Sequence, residues 1–349
     1  TTITGTSVDK ATAAYFQGQA YALRAQGIFD LLRLYGQKYT GGPLGVVTPT
    51  KYDPKAMLAR STITATEAQI ESDFNTALTM MNANSAYDTP SNKTELCINA
   101  LKALMSRYYL YKGDYAKVRT YVADVVASAK YNVALKDLYQ ETFRYTLRGA
   151  APNSIFELAV GTTGSLSTSS LRQIMSPSGY ANVVVSTSAY NSYASNDIRK
   201  SLIFVNAGTY YLSYSTIGKY TNSTGADNVK IVRYEEVLLN GVEAELNGGD
   251  PTKALTYYKA ILANRLSDTS TQTVAQQLAA ITSVDMNMLK AERLKELLGE
   301  GFRQWDLLRW GDTSFKPSAK DVKLLAFPIP RAETDLAGTL VVSNPGYDN

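Results

Sequence analysis

The chain has 349 residues with one cysteine and no histidine, and its formal net charge is +4. The lack of histidine excludes Ser-His-Asp and Cys-His nucleophiles and the usual nitrogen ligand of zinc or iron. The single cysteine, Cys97, excludes an internal disulfide, and its apolar helical neighbours predict a buried, inert thiol. No apolar run approaches the roughly 18 to 20 residues of a membrane helix.

The first part of the chain is predicted to be a helical hairpin. Apolar residues at helical spacing predict a long helix over Val8 to Tyr35, ended by Gly36. Glycines and prolines between Tyr39 and Pro54 predict a loop. A second helix over Thr66 to Ala83 is expected to fold back on the first.

Two further helix pairs share one turn chemistry. Glycine ends the first helix and aspartate caps the second, at Gly113-Asp114 and again at Gly249-Asp250. This order is typical of tetratricopeptide repeats, although the two copies lie too far apart for a tandem array. The predicted helices are 92–112 with 115–130 and 229–246 with 252–266, and a fourth, less regular pair is expected over 273–310.

The stretch from Ala291 to Asp312 has the period of one continuous amphipathic helix. Trp305 and Trp310 are predicted to pack in the core, because large aromatic residues at helical spacing usually do. Gly311 is the expected C-cap. Four charged residues of alternating sign are expected to pair along the helix: Glu300, Arg303, Asp306 and Arg309.

Residues 131–228 form a different kind of sequence, an insertion rich in serine, threonine and tyrosine. Strands are predicted at 155–160 and 183–185. Charged residues are sparse: Glu157, Arg172, Asp197, Arg199, Lys200, Lys219 and Asp227 are those between 149 and 229.

An uncharged surface of hydroxyls and tyrosine rings suits a neutral, polyhydroxylated ligand, since the rings cover the apolar face of a sugar. For any single tyrosine, packing against the scaffold remains the alternative. The candidate ligand-binding residues, from the early loop and the insertion, are Tyr39, Tyr52, Tyr180, Asn182, Tyr190, Tyr193, Tyr211 and Tyr214.

Four segments, in this order, resemble the SusD/RagB family of nutrient-binding outer-membrane lipoproteins of Bacteroidetes. They are Arg24-Ala25 with Phe29-Asp30-Leu31 and Arg33 to Gly36; Arg233 to Asn240 with Glu243-Ala244; Glu292-Arg293, Glu296-Leu297, Glu300-Gly301, Arg303, Trp305 to Leu307 and Arg309 to Gly311; and Phe327 to Pro330 with the Asn344-Pro345-Gly346-Tyr347 end. Packing between helices is the expected role of the Arg233 to Ala244 segment.

The resemblance implies a mainly α, SusD-like fold of four tetratricopeptide-like helix pairs with a loop-rich insertion that carries a few short strands. The chain would then be a single domain over 1–349. Its scaffold would be 8–130 and 229–312, its ligand-binding insertion 131–228 and its extended tail 313–349. In this family a longer N-terminal part precedes the first helix, so the chain is expected to begin inside the mature protein.

The function that the resemblance implies is capture of a glycan on the outer face of the outer membrane and its delivery to a SusC-like TonB-dependent transporter. The lipid-bearing cysteine would precede Thr1. The family places its ligand on projecting loops, including the equivalents of 39–54 and 131–228, but its individual contacts vary. No nucleic-acid partner and no cofactor are predicted.

Three alternatives stay open. A RagB-like lipoprotein would capture peptides, although the insertion has few charges for peptide termini. A glycosidase would need two carboxylates, and Glu157 and Asp197 are the prospects in the insertion. A plain repeat scaffold would bind proteins through its concave face. There is no phosphate-binding loop and no EF-hand spacing, while calcium at other oxygen ligands stays open.

Overall fold

The computed structural model of the protein describes residues 5–144, 150–315 and 322–347, which are mainly helical, as predicted. Contacts divide the chain into two compact units, one of residues 1–88 and 304–349 and one of residues 89–303. Within the described ranges, every helix is too short or too polar to span a bilayer.

The first unit contains the predicted helical hairpin. Helix α1 (Ser7–Tyr35) begins at Thr6, whose hydroxyl accepts from the Asp9 amide while the Asp9 carboxylate accepts from the Thr6 amide. Helix α2 (Ile63–Ala83) packs along it. The two helices meet closely at Gly18, where an added Cβ would come within 2.7 Å of the Met81 side chain. Glycine is therefore required at this crossing.

The loop between these helices is fixed at its root by the C-terminal tail. The Arg60 guanidinium donates to the carbonyls of Tyr35 at 2.9 Å and Val342 at 2.7 Å. The buried amide of Asn344 donates to Tyr35 O at 2.8 Å and accepts from Gln37 at 3.0 Å. Helix α12 (Arg331–Ala337) lies in this tail. The tip of the loop, residues 51–59, is exposed.

The second unit contains the two pairs with Gly-Asp turns. Helices α3 (Ile98–Lys112) and α4 (Tyr115–Ala127) are joined by Gly113, at φ 77°, and by Asp114, which caps α4. Helices α7 (Tyr234–Leu246) and α8 (Pro251–Leu262) follow the same rule, and Asp250 caps α8. The turn chemistry is confirmed. The predicted helix starts at 92 and 229 are too early, because the buried Cys97 caps α3 and residues 229–233 form a strand.

A two-stranded sheet marks where the insertion leaves and rejoins the helices. Strand β1 (Ser154–Leu158) pairs antiparallel with β6 (Val229–Arg233), so the predicted strand near 155 is confirmed. The strand predicted at 183–185 is wrong: Val185 makes a single bridge to Tyr210. Since β1 and β6 are neighbours, residues 159–228 are a long excursion from one sheet.

Short elements build this excursion. They are α5 (Leu171–Met175), α6 (Thr187–Asn191) and two small hairpins, β2 (Phe204–Asn206) with β3 (Thr209–Tyr211) and β4 (Ser213–Tyr214) with β5 (Ile217–Gly218). Buried side chains beneath them form a separate apolar cluster that includes Tyr139, Phe143, Met175, Tyr193, Leu212 and Tyr220. The insertion therefore has a core of its own.

The stretch predicted as one helix over 291–312 is two helices. After the short α9 (Val274–Ala280), helix α10 (Met286–Glu296) stops and α11 (Arg303–Arg309) starts afresh. Gly299 and Gly301 lie between them at φ 77° and 81°, a conformation that ends a helix. Of the expected series of ion pairs, Asp306–Arg309 is present, while Glu300 turns to Arg233.

The end of α11 is as predicted, but its tryptophans are less buried than expected. The amides of Gly311 and Asp312 donate back to the carbonyls of Leu308 and Leu307, with Gly311 at φ 74°. Trp305 and Trp310 are half-buried. Arg33 lies 4.9 Å from the Trp305 ring centre, so a cation covers this ring where core packing was predicted.

Candidate functional site

The inner side of the insertion is fixed to α10, and to the turn that follows it, by buried ion pairs. Arg199 contacts Glu292 at 2.5 Å and Glu296 at 2.8 Å, and Lys219 contacts Glu300 at 2.7 Å. All five side chains are nearly inaccessible to water. A buried charge is tolerated only when it is paired, so these contacts determine where the insertion sits on the helices.

Helix α10 also receives hydrogen bonds at its C-terminal end from the insertion. The Tyr193 hydroxyl donates to Lys295 O at 2.9 Å, and the Lys219 ammonium donates to Glu296 O at 3.0 Å. The last carbonyls of a helix have no partner within the helix and attract cations. The insertion thus completes the end of α10.

Two arginines outside the insertion complete the buried cluster. Arg233 contacts Glu300 at 2.8 Å and Arg265 contacts Glu296 at 2.8 Å. Burial by itself would raise the pKa of Glu296, but Arg265, Arg233 and Arg199 together hold it well below its usual range. The cluster is therefore charged. Arg233, at the start of the motif that resembled the SusD/RagB family, contacts other protein groups here, in keeping with the packing role expected for it.

The two carboxylates considered for a glycosidase are enclosed in the same way. Glu157 is buried and contacts Lys230 at 2.8 Å, while Asp197 is buried and contacts Arg199 at 2.7 Å. Among the described residues, no group of three carboxylate or cysteine side chains is arranged to hold a metal ion. Glu157, Asp197, Arg199 and Lys219 thus turn inward, while Lys136 and Asp137 are exposed and Arg172 and Lys200 are partly exposed.

Three aromatic rings lie together on one face of the β2–β3 hairpin. Phe204 is opposite Tyr211 in the strand register, with ring centres 6.4 Å apart. Tyr214, from the next hairpin, stacks on Phe204 at 4.0 Å with an interplanar angle of 18°. Tyr214 is 37% exposed and the other two rings are partly exposed. We call these residues the three-ring surface.

A second ring pair lies on the opposite face of the same hairpin. Tyr210 precedes Tyr211 by one position in the strand and therefore points the other way. It stacks on Tyr190 from α6 at 4.3 Å. Lys200 lies 4.9 Å from the Tyr190 ring centre. The structure thus joins two predicted residues, Tyr211 and Tyr214, and separates them from a third, Tyr190.

Phe204 was missed because tyrosines were the only aromatic residues among the predicted candidates. The signal was present in the chain, since Phe204-Val205-Asn206 and Thr209-Tyr210-Tyr211 flank Ala207-Gly208, a glycine-containing turn between two β-prone segments. Reading that hairpin would have paired Phe204 with Tyr211.

Among the predicted ligand-binding residues, the prediction for Tyr193 is wrong. It is 3% exposed and packs in the core of the insertion, with its hydroxyl bonded to α10. Burial raises its pKa. Its ring has no face open to a ligand, so Tyr193 is a structural residue.

The remaining predicted residues lie elsewhere. Tyr180 is 59% exposed and Asn182 is exposed, both on the turn that follows α5. In the first unit, Tyr39 is half-buried, and burial raises its pKa to about 12 against the opposing effect of Arg309 and Arg33. Tyr52 is 94% exposed at the tip of its loop.

The sequence matches a family model described as the SusD family over residues 63–324, three quarters of the chain. The chain belongs to the SusD family. A second model, described as starch-binding and associating with the outer membrane, matches residues 4–110.

Solved structures of SusD-like proteins share the fold. A SusD superfamily protein from Bacteroides thetaiotaomicron is 26% identical, with a TM-score of 0.79 over 97% of this chain and 80% of that one. A putative sugar binding protein from Bacteroides vulgatus is 24% identical, with a TM-score of 0.82 over 99% and 80%. Surface glycan-binding protein A from Bacteroides fluxus is 20% identical, with a TM-score of 0.74 over 98% and 80%. No curated protein sequence matches the chain.

The SusD family match supports carbohydrate binding and association with the outer membrane as the general role of this chain.

Proposed function

We propose that this SusD-family chain binds a neutral glycan on the three-ring surface and passes it to a TonB-dependent transporter. The observation that carries the binding part is the stack of Phe204 with Tyr214 beside Tyr211, on an insertion whose Arg199 and Lys219 face inward. The physical reason is that sugars present apolar C–H faces, which aromatic rings cover, and hydroxyls, which need uncharged polar partners.

The contacts expected at such a surface are individually weak. Partly exposed rings lose little water on binding, and each hydroxyl contact mainly offsets the desolvation of the groups that form it. The rings are already ordered by stacking, which lowers the cost of binding. We therefore expect modest affinity for short oligosaccharides and a preference for longer ones.

Binding without catalysis is supported by the ion pairs of Glu157 and Asp197. A general acid in a glycosidase must reach the leaving oxygen, and a nucleophile or base must reach the sugar ring. Both carboxylates instead contact buried cations. Glycan capture is favoured over peptide capture because the three-ring surface presents no charged group for peptide termini.

A glycan array tests the binding proposal. The wild-type chain is expected to bind at least one neutral polysaccharide, and a Phe204→Ala, Tyr214→Ala double variant is expected to lose most of that binding. Tyr121→Ala is the matched control, because Tyr121 is a half-buried tyrosine stacked on Tyr109 outside the insertion. Equal binding by all three proteins would remove the three-ring surface from the site.

The transporter and the external location are separate parts of the proposal and are supported by family membership. Co-purification of the full-length lipoprotein with a TonB-dependent barrel from the same cells tests the partner. Digestion of intact cells with an added protease tests the location, since a protein on the outer face is cleaved and a periplasmic one is protected. A negative result in either experiment would contradict that part of the proposal only and would not contradict glycan binding.

A further inference from the structure

A wide groove opens on the other side of the β2–β3 hairpin from the three-ring surface. Two loops form it, 195–203 from the insertion and 267–270 after α8, and its volume is about 730 Å³. That volume falls within the range of about 300 to 1,000 Å³ typical of small-molecule sites. Among its lining residues are Tyr190, Ser195, Lys200, Ser267, Thr269 and Ser270. We call it the serine groove.

The two loops of the serine groove are bonded to each other. Ser267 N donates to Asn196 O at 2.9 Å, and the Asn196 amide donates to Ser267 O at 2.9 Å and to Gln277 at 2.8 Å. Beneath them, Ile198 N donates to Arg265 O at 2.9 Å. The walls are thus held in place before any ligand arrives, which lowers the entropy cost of binding.

Three hydroxyls of this groove are available to a ligand, whereas those of Ser201 and Thr269 donate to backbone carbonyls. In the part of the chain that the structure describes, the side chains of Ser195, Ser267 and Ser270 make no hydrogen bond and are at least partly exposed. The charged groups nearby are engaged: Lys200 donates to Tyr193 O at 3.1 Å, and Asp268 accepts from Val274 N at 2.7 Å.

The chemistry of the groove selects a class of ligand. Its lining consists mostly of hydroxyl and amide groups. An apolar ligand would bury these polar groups without hydrogen-bond partners, which is unfavourable. Its charged residues are Lys200, Asp268 and Asp197, and Asp197 is paired with Arg199. Because both signs of charge are present, the groove does not favour a strongly charged ligand. Tyr190 is the aromatic residue among the lining residues that the structure describes. A neutral carbohydrate segment satisfies these conditions.

We propose that the serine groove is a second carbohydrate subsite, separated from the three-ring surface by the β2–β3 hairpin and occupied by a more distant part of the same glycan. This inference rests on the proposed function. Two subsites that engage one chain raise its affinity through effective concentration, without any new contact at the first. The groove therefore contributes to binding of long glycans and contributes little to binding of short ones.

The test uses short and long fragments of the strongest array ligand in isothermal titration calorimetry. A Ser195→Leu, Ser270→Leu double variant fills the groove and removes two hydroxyls at exposed positions, where we expect little effect on folding. Ser223→Leu is the matched control, an exposed serine of the insertion outside the groove. We expect the double variant to bind the long fragment about tenfold more weakly and the short fragment within about twofold of wild type.

Each other outcome contradicts the inference. Unchanged affinity for the long fragment would remove the serine groove as a subsite and leave the proposed function intact. Equal weakening for both fragments would make the groove the primary site, which is not what we propose. A wild-type chain that binds no glycan on the array would overturn the inference together with the proposed function.

Discussion

The inner and outer sides of the insertion use tyrosine in opposite ways. Inside, Tyr139, Tyr193 and Tyr220 are buried beneath the excursion, and the Tyr139 and Tyr193 hydroxyls bond to the end of α10. Outside, Tyr211 and Tyr214 keep part of their rings in solvent and pair with Phe204. One residue type therefore serves as a polar core residue inside and as a partly exposed ring outside, where we propose that it meets a ligand.

The charged residues show the same division. Arg199 turns inward to carboxylates of α10 and Lys219 to Glu300 in the turn after that helix, although both belong to a region with few charges. The buried charges of the insertion therefore hold it in place, while the three-ring surface that we propose for the glycan is made of uncharged side chains.

Removal of the Glu296 carboxylate, which contacts three arginines, is expected to have the largest effect on the inner side of the insertion. In Glu296→Gln, three buried arginines lose a negative charge that balances theirs. Breaking a buried ion pair in this way costs about 3 to 5 kcal/mol. We expect the free energy of unfolding, measured by urea titration, to fall by about that amount. Glu333→Gln, at an exposed carboxylate of α12, is the control and should change it by less than about 0.5 kcal/mol. A small effect at Glu296 would contradict the anchoring role.

Acid should lower the free energy of unfolding through the same cluster, by less than the Glu296→Gln substitution does. The pKa values of Glu296 and Glu300 lie below the ordinary value of 4.5 in the folded chain. Their contribution is therefore fully present above pH 4.5 and is lost as the pH falls below it, because the unfolded chain takes up protons first. Each pKa unit of depression corresponds to about 1.4 kcal/mol.

Urea titrations at neutral and acidic pH measure this loss. Glu296→Gln should lose less stability than wild type over the same interval, because one of the titrating groups is gone. An equal loss in both proteins would assign the acid sensitivity to other carboxylates.

A single ring substitution tests the proposed role of the outer side of the insertion in glycan binding. Tyr214→Ala removes a stacked, 37% exposed ring and should weaken glycan binding about tenfold, or about 1.4 kcal/mol. Calorimetry against the best array ligand measures this. Tyr214→Phe retains the ring and should stay close to wild type. If Phe were as damaging as Ala, the hydroxyl rather than the ring face would carry the contact.

The smallest effect is expected from the buried tyrosine. Tyr193→Phe removes the hydroxyl that donates to Lys295 O, and a lost hydrogen bond of this kind costs about 1 kcal/mol of unfolding free energy. Glycan affinity should not change. Weaker binding with unaltered stability would instead return Tyr193 to the ligand site.

Local chemistry made the helices predictable. Capping residues, turn glycines and apolar spacing located α1, α2 and the pairs joined at Gly113 and Gly249, because each of these signals acts within a few residues. The prediction failed at 297–302, where the apolar period continues although Gly299 and Gly301 break the helix. There, Glu300 pairs with residues far away in the sequence.

The sequence by itself determined the family, the helix pairs and a tyrosine-rich insertion with few charges, since composition and local pattern are properties of the chain alone. The tertiary structure decided which tyrosines face solvent, that Phe204 joins Tyr211 and Tyr214, and that Tyr193 does not. The physical reason is that β-strand register and long-range ion pairs, such as Arg199 with Glu296, choose the face each side chain presents. No local pattern carries that choice.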